Sequence, residues 1–180
     1  MPNQRQYFRG WKHVSKSKQT ARSAFSRLDA ADRKLLALLS EDATRSYAEL
    51  GQLMHLSPPA IHERAKRLRQ DGVIKGTVAL LDGKKLGRPL LAFVHVDTKN
   101  WTSTRRILEF RAFNEVEEIH TVTGESAILL KVRTQDTQSL EALLGKIHEI
   151  EGVSSTHSHI ALSTYLERGP SPLMDGDDAD

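Results

Sequence analysis

The stretch LSPPAIHERAKRLRQDGVI, residues 56–74, decides the fold of the first half of the chain. It predicts a helix in which Ser57 is the N-cap and Pro58 takes the first helical position, where no N–H is needed. Gly72 ends the helix. The apolar positions fall at i, i+4 and i+7 and share one face: Ile61, Ala65 and Leu68. The opposite face is cationic, and a short helix of this kind has the shape that enters a DNA major groove.

The residues predicted to contact DNA lie at the start and along the polar side of this helix: Ser57, Pro59, His62, Glu63, Arg64, Lys66 and Arg67. Arg67 projects outward and is predicted to meet a phosphate or a base. Arg64 lies nearer the apolar edge, so it either contacts DNA or pairs with an acid such as Glu49. His62 either bonds a base edge or a phosphate, or is simply an exposed histidine. Glu63 either accepts from a cytosine amino group or pairs with Arg67 at i+4.

Two further helices are predicted before this one. Asp29 caps the first, whose apolar stripe is formed by Leu28, Leu35, Leu38 and Leu39. Ser46 and Glu49 have the spacing of a capping box and open the second, which carries Leu50, Leu53 and Met54. Residues 55–57 form the turn into the third helix. The three helices predict a helix-turn-helix, although the turn lacks the glycine often found there.

The pattern becomes strand-like after the third helix. Apolar, strand-forming residues surround Gly76: Val73, Ile74, Val78, Leu80 and Leu81. With a turn signal at Asp82-Gly83, they predict two short strands that form a wing. The helix-turn-helix domain is therefore expected to span residues 28–82, and residues 83–89 a linker with a basic edge.

Residues 90–168 are predicted to alternate strands and helices. The predicted strands are residues 90–97, 116–123, 127–133 and 153–166, and the helices are residues 102–112 and a segment capped by Asp136 and ended by Gly152. Ile107 and Leu108 face inward on the first of these helices. The order β-α-β-β-α-β is typical of a ferredoxin-like domain, so the chain is an α+β protein. Helices cover only one face of such an antiparallel sheet, which favours a homodimer.

Both ends of the chain are predicted to be flexible. Residues 1–27 form a basic arm interrupted by Tyr7, Phe8 and Trp11. The arm either adds salt-sensitive phosphate contacts, or keeps the chain soluble, or uses its aromatic residues to attach to a neighbouring subunit. Residues 169–180 form an acidic tail.

Composition limits the possible functions. The chain has no cysteine, which excludes disulfides, cysteine-ligated zinc and thiol catalysis. No apolar run has the length of a membrane span and no secretory signal is visible, so we expect a cytoplasmic protein associated with the nucleoid. Residues 1–89 carry 18 Lys/Arg against 8 Asp/Glu, and residues 90–180 carry 8 against 15. A basic half of this kind favours a polyanionic partner.

From about residue 28 to residue 166 the chain resembles the Lrp/AsnC (feast/famine) family of transcription regulators. The resemblance rests on the order and spacing of several features: Leu28-Asp29 with Asp32, the block from Leu56 to Gly87, LLAFVHVD at 90–97, Thr123-Gly124 and Leu129-Leu130. It implies a winged helix-turn-helix that binds double-stranded DNA, joined to an effector and oligomerisation domain. It also implies dimers that assemble into tetramers, octamers or larger rings. Arg64 and Arg67 match the family's basic positions.

The resemblance also implies an effector site at the turn between the second and third strands, where many family members bind an amino acid. The matching residues are Thr123, Gly124, Glu125, Ser126 and Ala127. Glu125 keeps the family's acid, whereas Ser126 and Ala127 replace an aromatic residue and an aspartate. A carboxylate at the second position pairs with the amino group of a ligand, and Ala127 has none.

Two other functions are alternatives to a sequence-specific regulator that responds to an amino acid. An architectural protein would compact DNA without an effector, and the basic arm and altered turn favour it. A tetrapyrrole decarboxylase of related fold would use histidines of the second domain: His95, His120, His157 and His159. His157 and His159 share a strand face and with His120 could form a zinc or haem site, or they are ordinary sheet-face histidines. Glu117 and Glu118 are predicted to point to opposite faces of a strand, which argues against a catalytic pair. We predict no enzyme activity, metal or cofactor.

Overall fold

The structure is a computed structural model that describes residues 28–99, 105–124 and 126–173. The described residues divide into two compact units, one of residues 28–78 with 168–173 and the other within residues 79–167. The predicted basic arm, Glu125 and residues 174–180 of the predicted tail lie outside the described residues.

The described residues of the first unit contain three helices in the predicted order. They are α1 (Ala30–Glu41), α2 (Tyr47–Met54) and α3 (Pro58–Gln70). Their shared core consists of Leu35, Leu50, Ile61, Ala65 and Leu68, each no more than 1% exposed. The predicted stripe of α3 is therefore confirmed, and the helix-turn-helix with it.

Side-chain caps begin α1 and α2 as predicted. Ser46 accepts from the Glu49 amide at 3.2 Å, and the Glu49 carboxylate accepts from the Ser46 amide at 2.7 Å. Asp29 and Asp32 form an equivalent capping box at α1, which the sequence analysis did not predict. Ser57 is the N-cap of α3, but its side chain makes no capping hydrogen bond, and Pro58 and Pro59 start that helix. Two prolines without N–H groups leave fewer donors to cap at this end.

The turn between α2 and α3 uses a glycine from inside α2. A Cβ on Gly51 would lie 2.6 Å from the backbone oxygen of Leu56, so only glycine lets the chain pass this closely. The Leu56 amide in turn donates to the Gly51 carbonyl at 2.9 Å. His55 ends α2 in the left-handed region at φ 55°. The turn at residues 55–57 has no glycine of its own, and Gly51, four residues before its start, allows the close approach instead.

The predicted wing strands are not formed in the described residues. Residues 75–82 have no strand, and Val78 and Leu80 are 89% and 84% exposed. Two short strands on their own are marginal in water unless their apolar face packs on something. The turn at Asp82 is confirmed, since its carboxylate accepts from the Lys84 amide at 2.8 Å.

The second unit is an antiparallel four-stranded sheet in the order β2-β3-β1-β4. The strands are β1 (Leu90–Thr98), β2 (Val116–Thr121), β3 (Ile128–Thr134) and β4 (Val153–Ile160). Helix α4 (Thr137–His148), capped by Asp136 as predicted, and a 3₁₀ helix (Arg105–Ala112) complete the ferredoxin-like order. Ten buried residues form the core between the sheet and the helices: Ala92, Val94, Val96, Phe110, Ile128, Leu130, Val132, Leu140, Leu143 and Ile147. The inward packing predicted for Ile107 and Leu108 lies outside the described side chains.

The last strand is shorter than predicted. It stops at Ile160 instead of residue 166, because its partner β1 begins at Leu90, directly after Pro89. The Ala161 amide still donates to the Leu91 carbonyl at 2.9 Å, and the chain then leaves the sheet. Leu162 and Tyr165 are each 97% exposed.

The prediction for Glu117 and Glu118 is wrong. The register of β2 on β3 shifts between Val116 and Glu118, which is the mark of a β-bulge. The bulge lets both carboxylates reach Lys131, at 3.5 Å and 3.3 Å from its Nζ. Alternation along a strand fails where an extra residue is inserted.

Candidate nucleic-acid interface and effector turn

The polar side of α3 is fastened to the start of α1 by ion pairs. Arg64 Nη1 donates to Asp29 Oδ2 and to Asp32 Oδ1, both at 2.8 Å. Arg67 Nη2 donates to both carboxylate oxygens of Asp32 at 2.6 Å. The Asp32 side chain is only 1% exposed, so one buried carboxylate receives two guanidinium groups. We call Asp29, Asp32, Arg64 and Arg67 the clamp.

The clamp is electrostatically satisfied. The bond from Arg64, together with that from the Asp32 amide, holds the pKa of Asp29 below its ordinary value of 3.8. Arg64 therefore pairs with acids, as one of its two predicted alternatives, but the partners are Asp29 and Asp32. Glu49 is not among them because it caps α2.

Arg67 is both half-exposed and paired with an acid. Its side chain is 50% exposed, in keeping with the predicted outward projection, yet its Nη2 lies on Asp32. A half-exposed guanidinium has five N–H donors in a planar fork. It keeps donors for a phosphate or a base while Nη2 remains on the carboxylate. Its contact with DNA stays a prediction.

Three adjacent side chains on the outer side of α3 are between 52% and 67% exposed: His62, Glu63 and Lys66. Glu63 Oε1 lies 3.4 Å from His62 Nδ1 and 3.8 Å from Lys66 Nζ. The predicted intrahelical pair of Glu63 with Arg67 is thus replaced, since Arg67 turns to Asp32. Ser57 and Pro59 are exposed at the N-terminal end of the helix.

Tyr47 of α2, which is not among the residues predicted from sequence, supports this surface from the side. Its ring meets the His62 ring edge-on, with centroids 5.4 Å apart. Its hydroxyl accepts from Arg69 Nη1 at 3.2 Å. The position of Tyr47, directly after the capping Ser46, is the signal that could have found it, because the first turn of α2 faces α3. His62 is therefore an exposed histidine whose ring also contacts an aromatic neighbour, and its contact with DNA stays a prediction.

The predicted effector turn joins β2 to β3. The Val122 amide donates to the Ala127 carbonyl at 3.1 Å and closes it. Gly124 has φ +120°, which favours glycine, and the space where a Cβ would stand is open. Thr123 is exposed, while Ser126 and Ala127 are half-buried.

A carboxylate that the sequence analysis did not consider lies beside this turn. Asp97 is near the end of β1 and accepts a hydrogen bond from Ser155 of β4. The bond from Ser155, with a smaller effect of Ser126, outweighs burial and holds the pKa of Asp97 below its ordinary value. The sequence signal was an acid ending an otherwise apolar strand.

The sheet has one face that no described helix covers, which we call the open face. Its β2–β3 half is an ion-pair network in which Lys131 lies 2.6 Å from Glu167 and Arg133 lies 2.6 Å from Glu117. Its β1–β4 half carries histidines, since His95 pairs with His157 and the rings of His95 and His159 are 5.5 Å apart. His120 is on β2, at the other edge of the sheet. The topology therefore separates His120 from His157 and His159, the two histidines that would complete the zinc or haem site.

Two family models match the chain. The AsnC-type helix-turn-helix domain matches residues 28–69, and the Lrp/AsnC ligand binding domain matches residues 91–171. The HTH-type transcriptional regulator FL11 of Pyrococcus horikoshii is 32% identical over 146 residues, covering 81% of this chain and 97% of that protein.

Solved structures show the same similarity. AsnC of E. coli has a TM-score of 0.74 at 30% sequence identity, covering 80% of this chain and 98% of that chain. A transcriptional regulator of Neisseria meningitidis, solved as an L-Met complex, has a TM-score of 0.74 at 26% identity. It covers 78% of this chain and 94% of that chain. The two matched domains correspond to the two units described above.

Proposed function

Because the chain belongs to the Lrp/AsnC family of helix-turn-helix transcription regulators, we propose that it reads a near-palindromic DNA site as a homodimer. Each protomer places α3 in a major groove, and the two half-sites lie about one helical turn, roughly 34 Å, or a multiple of it apart. The observation that carries this proposal is the seating of α3. Its apolar stripe is buried, its base is held by the clamp, and its outer side presents polar groups to solvent.

The groups offered to DNA divide into two kinds. His62 and Glu63 stand near the N-terminal half of α3, where recognition helices meet base edges. Lys66 and Arg67 lie further along and supply positive charge to phosphates. Ser57 and Pro59 set the approach of the helix end. Arg64 supports this surface from beneath, through the clamp, instead of contacting DNA.

The open face supports a second copy as partner. Its β1–β4 half carries the exposed His157 and His159, and its β2–β3 half carries paired charges. Phe93 is 37% exposed between Lys131 and His159 in the register. Exposed apolar side chains follow on at the same unit: Leu80, Leu81, Leu162, Tyr165 and Leu166. A monomer in water rarely exposes this many large apolar groups close together. We expect such dimers to assemble into tetramers or octamers, as the resemblance to the family implies.

We further propose that a small effector, in the class of amino acids, binds at the turn of Thr123, Gly124, Glu125, Ser126 and Ala127. The match of the Lrp/AsnC ligand binding domain supports this, as does the L-Met bound by the Neisseria regulator. The effector acts by favouring one assembly or one spacing of the α3 pair. We expect the regulator to work in the cytoplasm at the nucleoid. Among the described residues, no helix has the length and apolar character needed to cross a membrane.

The test is selection of DNA from a random pool by the purified full-length chain, at near-physiological salt, with and without the twenty amino acids. We expect an enriched near-palindrome whose recovery or spacing changes when amino acids are present. Retention of every sequence alike, lost as salt rises, would replace the proposal by the architectural function. Absence of any retention would refute DNA binding.

Matched variants locate the interface within the fold. Lys66→Ala removes a cation from the outer side of α3, and Lys34→Ala removes one from the exposed side of α1. We expect the affinity for the selected site to fall several-fold in the first and to stay unchanged in the second. His62→Ala is expected to relax base preference at one position of each half-site, by about 1–3 kcal/mol of discrimination.

A further inference from the structure

Tyr47 contacts two side chains that lie on the same side of α3. Its ring meets the His62 ring edge-on, with centroids 5.4 Å apart, and its hydroxyl accepts from Arg69 Nη1 at 3.2 Å. His62 and Arg69 are seven positions apart in the sequence, which is about two turns of an α-helix, so both project from one side. A single tyrosine of α2 therefore spans the two turns of α3 that carry an imidazole and a guanidinium.

The Tyr47 side chain is itself held in place by the fold. It is half-buried and packs against the core of the first unit. Its backbone is fixed as well, because Tyr47 is the first residue of α2 and directly follows Ser46, whose capping box with Glu49 begins that helix. A tyrosine has only two side-chain torsions, so a ring packed on a core keeps little freedom. Tyr47 is thus a rigid support for whatever touches it.

His62 and Arg69 are exposed and gain order from this support. An arginine on a surface loses rotamer freedom when it binds a phosphate, and a contact that orders it beforehand lowers that cost. Arginine has five N–H donors, so the bond to the Tyr47 oxygen leaves donors for a phosphate. The edge-on contact with the Tyr47 ring restricts the His62 imidazole in the same way, since aromatic pairs have preferred orientations.

We infer that Tyr47 is a positioning residue for DNA recognition, whose ring orients His62 toward a base edge and whose hydroxyl holds Arg69 beside the DNA backbone. The inference rests on the proposed entry of α3 into the major groove, and it adds Tyr47 and Arg69 to that surface. In a helix-turn-helix the first helix of the motif crosses the backbone while the second reads the groove. Helix α2 is that first helix. The recognition surface therefore has two supports, the clamp on the side of α1 and Tyr47 on the side of α2.

The experiment measures the affinity of full-length variants for the selected DNA site and for a set of sites that each differ from it by one base pair. Tyr47→Phe keeps the ring and removes the hydroxyl, whereas Tyr47→Leu removes both and leaves an apolar side chain on the core. Tyr47→Phe is also combined with Arg69→Gln, and Tyr47→Leu with His62→Ala. Tyr165→Phe removes the hydroxyl of an exposed tyrosine in the second unit and serves as control. Urea unfolding followed by circular dichroism shows which variants are folded.

We expect Tyr47→Phe to bind the selected site more weakly than the natural chain and Tyr165→Phe, by about two- to tenfold for each copy of α3, because Arg69 is then ordered only on binding. Its base preference should be unchanged. Tyr47→Leu should show the same loss and should also relax the preference at the position that His62→Ala relaxes. Because these side chains act together, Tyr47→Phe should add little to Arg69→Gln, and Tyr47→Leu should relax no further position in His62→Ala.

Two results would overturn the inference for the hydroxyl: Tyr47→Phe that binds as tightly as the natural chain, or losses of Tyr47→Phe and Arg69→Gln that add fully in the double variant. For the ring, the contrary result is a folded Tyr47→Leu that keeps its base preference or relaxes a position other than that of His62→Ala. If Tyr47→Leu does not fold, Tyr47→Phe decides. A natural chain that selects no site would refute the proposed function itself, whereas a selected site that these variants bind unchanged refutes this inference alone.

Discussion

Asp32 links the two arginines of the recognition surface to α1. The helical periodicity placed both arginines on α3, but their partner lies more than thirty positions earlier in the chain, and only packing of the helices brings it close. Asp32 is one of the residues that match the family, but the sequence does not indicate that its side chain is buried. A buried acid becomes recognisable from sequence only when its cationic partner is known, since unpaired buried charges are strongly disfavoured.

Replacing Asp32 by alanine tests the clamp. The change leaves Arg64 and Arg67 facing a site without a carboxylate, and we expect the unit of α1, α2 and α3 to lose about 1–3 kcal/mol of stability. The cost stays below that of a fully buried pair because both arginines can turn to water. Urea unfolding followed by circular dichroism measures it. Asp71→Ala, at an exposed carboxylate after α3, is the control and should change stability little; equal losses in both variants would contradict the role of the clamp.

The stability of the same unit should fall at acid pH because Asp29 becomes protonated. Its pKa is lowered in the folded chain by Arg64 and by the Asp32 amide. Its contribution is therefore complete above the ordinary value of 3.8 and is lost as the pH falls from there through the lower folded value. We expect the natural chain to lose stability over that range more steeply than Asp29→Asn. Thermal unfolding at a series of acid pH values gives both curves, and parallel curves would exclude the contribution.

At the level of elements, Gly51 and Gly145 make a matched pair. A Cβ on Gly51 would collide with the backbone oxygen of Leu56, whereas one on Gly145 of α4 meets nothing within 4 Å. We expect Gly51→Ala to destabilise the helix-turn-helix by about 1–3 kcal/mol through overpacking. Gly145→Ala should instead stabilise α4 by about 0.5–1 kcal/mol, because alanine is the better helix former. Melting temperatures of the two variants should move in opposite directions; a shared direction would contradict the account.

Elements with strong local signals were predictable, and those set by distant neighbours were not. The caps at Asp29, Ser46 and Asp136, together with the apolar periodicity, placed α1, α2, α3 and α4. The end of β4 depended on where β1 begins, so the apolar residues that follow it misled the prediction. The bulge at β2 is likewise a property of the pair of strands. The prediction of the wing strands was wrong because apolar, strand-forming residues do not form a stable pair of strands unless they have a surface to pack on.

For the whole molecule, the decisive question is what covers the open face. Phe93→Glu places a charge at the centre of that face, between Lys131 and His159 in the register. We expect it to dissociate the proposed dimer and to abolish retention of the near-palindromic site, since a single α3 reads only one half-site. Sedimentation equilibrium gives the mass of the particle. Lys146→Glu on the exposed side of α4 is the control, and a Phe93→Glu variant that keeps the mass of the natural chain would move the interface elsewhere.

The clamp also fixes how many ions the protein exchanges when it meets DNA. Helix α3 has four cations, Arg64, Lys66, Arg67 and Arg69, and the first and third already face aspartates. Each phosphate neutralised on duplex DNA releases about 0.9 counterion. Two copies of α3 acting with Lys66, Arg67 and Arg69 but without Arg64 give a log–log salt slope of roughly −5, whereas all eight cations would give roughly −7. Because of the two aspartates, the affinity that α3 contributes depends less on ionic strength than its number of basic residues predicts.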